Sequence, residues 1–456
     1  MRCHAWAAAG LGLVGAVAIA AAQEAGPGGP WRGAGPTPCF GSEGGSYQCR
    51  ALPGMVAVRA GRLFDSVTGR MLTDQVVLIK GDRIAEVGGT AQVKIPVDAQ
   101  VIDLSRATVL PGLVDAHTHM FNYPKPGMSR ETSTLIAVHN LQADLRAGFT
   151  AARDMSSHGN GYADVDIRNA IDEGRIDGPR FQVAGRGIIW AGTAGTAAGS
   201  PLTSIRVHGE EDARAAVREH VERGADWIKL FPGGAYSFTS AGEDKYVVTY
   251  PMAVLQALID EAHRLGRKTA CHVLGGEGQR NAIFAACDTV EHAFGLDREQ
   301  ADTMVAKGLA YDPTFVRYTE PYLDDDDKKN TGGKYRIISI FEKAVTTAVA
   351  TKGLTVMLGS GVDGATFPHG TQALEFEWYV KRAGMSPMRA LQAGTIVNAT
   401  VMGWQDRIGS LETGKFADLV AVAGDPLADI TELQRVMFVM KGARVMRSEP
   451  PAATVR

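Results

Sequence analysis

Between residues 111 and 403 the chain alternates short apolar runs with longer amphipathic stretches, and few architectures accept such a pattern at this length. The apolar runs are 108–116, 149–154, 180–184, 227–231, 269–273, 289–293, 310–315 and 356–359. Helix-type periodicity occupies 134–147, 213–223, 252–265, 278–286, 298–307, 335–352 and 375–383. Eight strands, with a helical stretch between most successive pairs, suit a (β/α)8 barrel of about 250–300 residues. A doubly wound open sheet is the alternative. Two connections, 190–208 and 232–250, are long and follow strands on the face where barrel enzymes keep their sites, so they are read as loops over the site.

The flanks have a different texture. Short β-type runs at 56–59, 76–79 and 83–87 are separated by turn residues, and similar runs return at 409–420 and 436–445. Chain ends often lie close in space, so the two flanks are expected to build one small β-sandwich domain. The resulting division is a signal peptide at 1–22, an arm or linker at 23–54, the β domain at 55–110 and 404–447, the barrel at 111–403 and a tail at 448–456. The signal reading rests on Arg2, the apolar run 7–19 and the small residues Ala20, Ala21 and Ala22. It predicts a periplasmic or secreted protein with no membrane association once the signal is removed. Of the five cysteines, Cys39 and Cys49 could staple the Gly/Pro-rich arm in an oxidising compartment, whereas Cys271 and Cys287 are read as buried thiols. A net charge of −3 and the lack of any basic block give no support to nucleic-acid binding.

Chemistry gathers at the strand ends. In Val114-Asp115-Ala116-His117-Thr118-His119-Met120 the histidines are two apart on a strand. Their side chains therefore share a face, with Cα atoms about 6.5–7 Å apart, close enough for both imidazoles to reach one ion. Two surface histidines in a loop would be the plainer explanation. Lys229 interrupts Trp227-Ile228-Lys229-Leu230-Phe231. Burial there would lower its pKa and free a neutral amine, able to take up carbon dioxide as a carbamate whose two oxygens could bridge two metals. A lysine that snorkels to the barrel mouth or pairs with an acid fits equally well. His272 and His292 each stand near the end of a β run, and each alone could be a core histidine. Asp363 follows an apolar strand and a Gly-rich turn, as a ligand, a base or a turn aspartate. Tyr236 and His369 could reach the substrate, whereas His139 and His158 are read as structural.

Taken together, VDAHTHM, WIKLF, ACHV, VEHAFG and GSGVDG on successive strand ends resemble the amidohydrolase superfamily of metal-dependent hydrolases. AGFTAARDM and LETGKFADLVAVAGDPL resemble its branch of imidazolonepropionase-like enzymes, Xaa-Pro dipeptidases and ochratoxinase-like carboxypeptidases. The resemblance covers nearly the whole chain after the signal. It implies that His117, His119 and Asp363 hold one metal, that His272 and His292 hold a second, and that carboxylated Lys229 bridges them. Zinc is the default ion for such donors. By the same resemblance Asp363 is the general base and then the general acid of amide hydrolysis.

The implied substrate is a dipeptide (Xaa-Pro or other) or an N-acyl amino acid such as ochratoxin, cleaved to release the C-terminal amino acid. The resemblance also suggests a homo-oligomer. A single-metal cyclic-amide hydrolase or deaminase of the imidazolonepropionase type is the alternative, and Lys229 argues against it. An exported, non-catalytic binding protein is a second alternative, and it could afford to lose one of these residues.

Overall fold

The computed structural model describes residues 54–123, 125–192, 202–238, 244–248, 250–319, 334–364 and 367–449. The expected signal, most of the arm, Cys39 and Cys49 lie outside these residues. Within them, eight parallel strands carry the barrel: Leu113–Thr118, Phe149–Asp154, Arg180–Val183, Trp227–Phe238, Lys268–Val273, Thr289–His292, Ala310–Asp312 and Thr355–Val356. They pair in two ladders, the first three strands in one and the last five in the other. Individual backbone bonds cross the seams. Asp226 donates to the Val183 carbonyl (2.8 Å), Ala116 to Leu358 (2.9 Å), Gly361 to His117 (2.6 Å) and His119 to Val362 (2.8 Å). The final seam thus runs through the His-x-His segment itself.

Helices return the chain from strand to strand, and their ends follow local chemistry. Arg298–Lys307 starts where the Asp297 carboxylate accepts the Gln300 N–H and stops at Gly308, whose φ of 68° is left-handed. Helix Met252–Arg264 buries Val254, Leu255, Leu258, Ile259 and Ala262, the helix-period stripe that packs on the sheet.

Several boundaries differ from the expectation. The run 108–116 is two strands, because Gln100–Pro111 belongs to the small domain and the barrel begins at Leu113. Gly112 is the break. A Cβ there would collide with the Thr150 side chain, so the backbone can make this close approach only without one. The two long connections also contain strands. Gly187–Trp190 and Ser204–Val207 extend the sheet, and Trp227 to Phe238 is one long strand whose far half pairs antiparallel with Asp244–Val248. Cys271 and Cys287 are joined as a disulfide, with Cα atoms 6.2 Å apart, and are not free thiols. Among the described residues no helix is long and apolar enough to cross a membrane.

The small domain is a seven-stranded sheet in the order Arg444–Ser448, Phe438–Lys441, Leu419–Val422, Gln100–Pro111, Met55–Asp65, Arg70–Lys80 and Arg83–Gly89. Backbone bonds from Ile84 to the Lys415 carbonyl (2.9 Å) and from Ala417 to the Asp82 carbonyl (2.9 Å) tie its far hairpin back to the C-terminal half. The sheet thereby curls over one core, which holds Val58, Val77 and Ile84 together with Leu419, Phe438 and Met440. Arg180, on the third barrel strand, docks this domain. Its guanidinium makes a bidentate pair with Asp418 (2.6 and 3.0 Å) and lies 3.6 Å over the Phe416 ring. Both partners are buried. Asp418→Ala would leave Arg180 unpaired there, so we expect a loss of about 3–5 kcal/mol of stability in denaturant melts. A loss under about 1 kcal/mol would show that the pair does not carry the junction.

Candidate metal centre

Four imidazoles meet at one end of the barrel. The His117 ring centroid lies 5.2 Å from that of His119 and 5.1 Å from that of His292, and His272 lies 4.5 Å from His292. Strand alternation accounts for the first pair. It does not account for His292, because Glu291 and His292 are neighbours and should face opposite sides. The backbone resolves this: His292 and Ala293 have φ of 70° and 42°, so the strand turns into the left-handed region at His292. Both side chains reach buried groups around His117 as a result.

Hydrogen bonds fix which nitrogens are left to bind. His117 Nδ1 lies 2.7 Å from Glu291 Oε2. A carboxylate only accepts, so Nδ1 carries the proton and Nε2 keeps its lone pair. His292 Nδ1 lies 2.7 Å from Thr314 Oγ1, whose own hydroxyl donates to the Pro313 carbonyl (2.6 Å), which again leaves Nε2 as the free donor atom. Burial, and then nearby charge, keeps all four rings neutral. His117 is pulled down to about 4, and His119, His272 and His292 well below the usual histidine value. Neutral imidazole is the form that binds metal.

Lys229 is buried, and its Nζ has no hydrogen-bond partner among the described residues. Burial lowers its pKa to about 8, although Glu291, Asp312 and Asp154 oppose the shift. Its charge is among the influences on all four histidines.

Beneath the rings lies a buried network that the strand pattern does not reveal. Arg153 donates to Glu291 (3.0 Å) and to the Ala116 carbonyl, stands 3.5 Å from Asp312 and stacks 4.3 Å over Trp227. Although burial opposes it, Arg153 and then His117 hold the Glu291 carboxyl well below its usual range. His117, Glu291 and Asp312 each offer a donor atom within 4.8 Å of the others. Glu291 and Arg153 are charged residues on the fully buried strands Thr289–His292 and Phe149–Asp154.

The remaining expected residues are placed differently. Asp363 is buried, with Oδ2 3.3 Å from Arg317 Nε and Oδ1 accepting from the Phe367 N–H at 3.3 Å. The carboxylates that group with His117 are those of Glu291 and Asp312. His369 sits behind the site. Its Nδ1 is 2.8 Å from Asp144 and its Nε2 3.2 Å from the His119 carbonyl, so both nitrogens are engaged within the protein. Tyr236 is in register with Tyr246 on the long strand, and its side chain lies outside the described residues. His158, read from sequence as structural, stacks on His119.

Known proteins place this arrangement. Over 417 residues the chain is 28% identical to the ochratoxinase of Aspergillus niger, covering 83% of this chain and 84% of the relative. It is 23% identical over 372 residues to the imidazolonepropionase of Pseudomonas aeruginosa (strain UCBPP-PA14), covering 77% and 88%. A solved Xaa-Pro dipeptidase with bound methionine in its active site superimposes with a TM-score of 0.76 at 27% identity, covering 86% of this chain and 99% of that one. The sequence model of the amidohydrolase family matches residues 108–446, the whole barrel and the C-terminal part of the small domain. A metal-binding hydrolase is what these strand ends build, and the chain belongs to the amidohydrolase family.

Proposed function

We propose that the protein hydrolyses the amide bond of a dipeptide or an N-acyl amino acid and releases the C-terminal amino acid, with two divalent metal ions in the barrel mouth. The observation that carries this reading is the Lys229 amine, which is buried among four neutral imidazoles with no hydrogen-bond partner among the described residues. A cation left there alone is costly. As a carbamate it becomes an anion with two oxygen donors, and the site then fits a pair of cations. His117 and His119 would hold one ion and His272 and His292 the other, with Lys229 between them. The ions, zinc by default, would supply Lewis-acid polarisation of the scissile carbonyl.

The chain's own groups do the rest. Glu291 and Thr314 fix the tautomers of His117 and His292. Arg153 holds Glu291 in place. Asp363 is the proton carrier that takes a proton from water and returns it to the leaving nitrogen, with Arg317 orienting its carboxylate. The likeness to ochratoxinase and to the Xaa-Pro dipeptidase supports an amide with an amino acid on its leaving side.

The test is a library of dipeptides and N-acyl amino acids incubated with protein verified to hold two metals, with product masses followed over time. Release of free amino acids from a subset is the expected outcome. No cleavage of any member would overturn the reading.

A further inference from the structure

A cavity of about 370 Å³ opens at the end of the barrel away from the imidazoles, within the roughly 300–1,000 Å³ range of small-ligand sites. Lys268, Asp288 and Ala310 line it at the starts of three successive strands, whereas His272 and His292 lie toward the other ends of the first two. The facing wall is made by Ile396, Val397 and Val401. Ile396 and Val397 end the π-turn Ala393–Val397. Such turns are rare and often stand at functional sites.

The cavity carries one charge of each sign beside these apolar side chains. Lys268 is exposed at the rim, and its ammonium donates to the Val401 carbonyl at 2.7 Å. That bond uses one of three N–H donors and holds the group against the wall. On the adjacent strand, Asp288 Oδ2 accepts from the Thr269 N–H (2.8 Å) and hydroxyl (2.9 Å) and lies 2.7 Å from His263 Nε2. These contacts all fall on Oδ2, so Oδ1 remains for a ligand. Although burial opposes it, His263 and Thr269 hold the Asp288 carboxyl below its usual value, and it stays ionised. The two groups direct these bonds to other partners rather than to each other, which leaves a positive and a negative pole on neighbouring strands. A simple anion would meet the Asp288 carboxylate there and a simple cation the Lys268 ammonium. A neutral apolar molecule would desolvate both without pairing either.

We infer that this cavity is a further small-molecule site, for a free α-amino acid with an apolar side chain. The ligand's carboxylate takes Lys268, its ammonium takes Asp288, and its side chain lies against Ile396, Val397 and Val401. The inference stands on the cavity alone and does not depend on the reaction proposed above, although that reaction would release such a molecule. Hydrogen bonds between charged groups are the strong ones, and loss of one corresponds to roughly tenfold to a hundredfold in affinity.

The test is calorimetric titration of the metal-loaded protein with leucine and three relatives of it. These are 4-methylpentanoate, which lacks the ammonium, isopentylamine, which lacks the carboxylate, and glycine, which lacks the side chain. The same titrations are run on Lys268→Met, which removes the positive pole, and on Thr400→Trp, which fills the cavity from an exposed position on its lining. Metal content and circular dichroism confirm that each variant is folded and loaded. Leucine should bind the parent, and both variants should weaken that event by roughly tenfold or more. Each of the three relatives should bind at that site at least about tenfold more weakly than leucine. An isotherm with a second event, at the metals, is distinguished by its persistence in both variants. No leucine binding in the parent, or leucine binding that is unchanged in either folded variant, overturns the inference. So does a relative that binds the cavity as well as leucine does. The readout is heat, so these outcomes are independent of whether the protein hydrolyses amides.

Discussion

Lys229→Ala is expected to bind about one metal equivalent fewer than the parent and to lose turnover by orders of magnitude, with partial recovery on adding formate or acetate. The geometry sets this expectation. The amine is buried on the fourth barrel strand, has no hydrogen-bond partner among the described residues and shares its surroundings with Glu291, Asp312 and Arg153. With a pKa lowered to about 8, close to half of it is neutral at mildly alkaline pH, the form that reacts with carbon dioxide. On the proposed reading alanine removes the bridge and leaves a space that a short carboxylate can fill. Metal content by elemental analysis and activity with and without the carboxylate are the two readouts. A variant that keeps both metals and full turnover would remove Lys229 from the centre. Loss of folding is a separate outcome visible by circular dichroism, and Lys229→Met, which keeps the bulk, controls for it.

Asp363→Asn should keep its metals while turnover falls by orders of magnitude, because the amide can neither accept nor return the proton. This variant also probes the placement of Asp363. In the structure its carboxylate pairs with Arg317, outside the group formed by His117, Glu291 and Asp312. If Asp363 acts only as proton carrier, metal content stays at the parental level and kcat alone collapses. A simultaneous loss of metal would make it a ligand as well. Turnover near that of the parent in a fully metallated Asp363→Asn would end its part in the mechanism and turn attention to Asp312, whose carboxylate oxygens have no hydrogen-bond partners among the described residues.

The barrel was legible because buried parallel strands are nearly continuous apolar runs, and those runs lie where the structure places its eight strands. What escaped follows physical rules as well. The helix Ala163–Asp172 is only ten residues long and carries three aspartates and an arginine, of which Asp164 and Arg168 are buried, so charge stands on the face that packs inward. The helical stretch from Pro387 to Val401 is broken by a π-turn over Ala393–Val397, which shifts its period. The domain boundary is legible at 110/111, but the run 108–116 reads as one strand because a run of apolar residues does not show that the chain changes sheets at Gly112. In the site, the histidines stood out as unusual residues at strand ends. Glu291, Arg153 and Asp312 did not, because their value lies in partners more than a hundred residues away, as with His117 and Glu291. The Cys271–Cys287 bond likewise joins the strand Lys268–Val273 to the connection that precedes the strand Thr289–His292, which a spacing of 16 residues cannot reveal.

The curled sheet of the small domain bears on the order of events during synthesis. Its strand Gln100–Pro111 pairs on one side with Met55–Asp65 and on the other with Leu419–Val422. The second partner leaves the ribosome roughly 300 residues later, some tens of seconds at ordinary elongation rates. Throughout that interval Val109 and Leu110 present an unpaired strand edge, the kind of surface that recruits other chains. The barrel grows from this same strand, with Gly112 as the hinge, so the first domain to begin is the last to finish. A nascent chain of this design depends on something holding that edge, whether a chaperone or the barrel's own early helices, until residues 419–422 arrive.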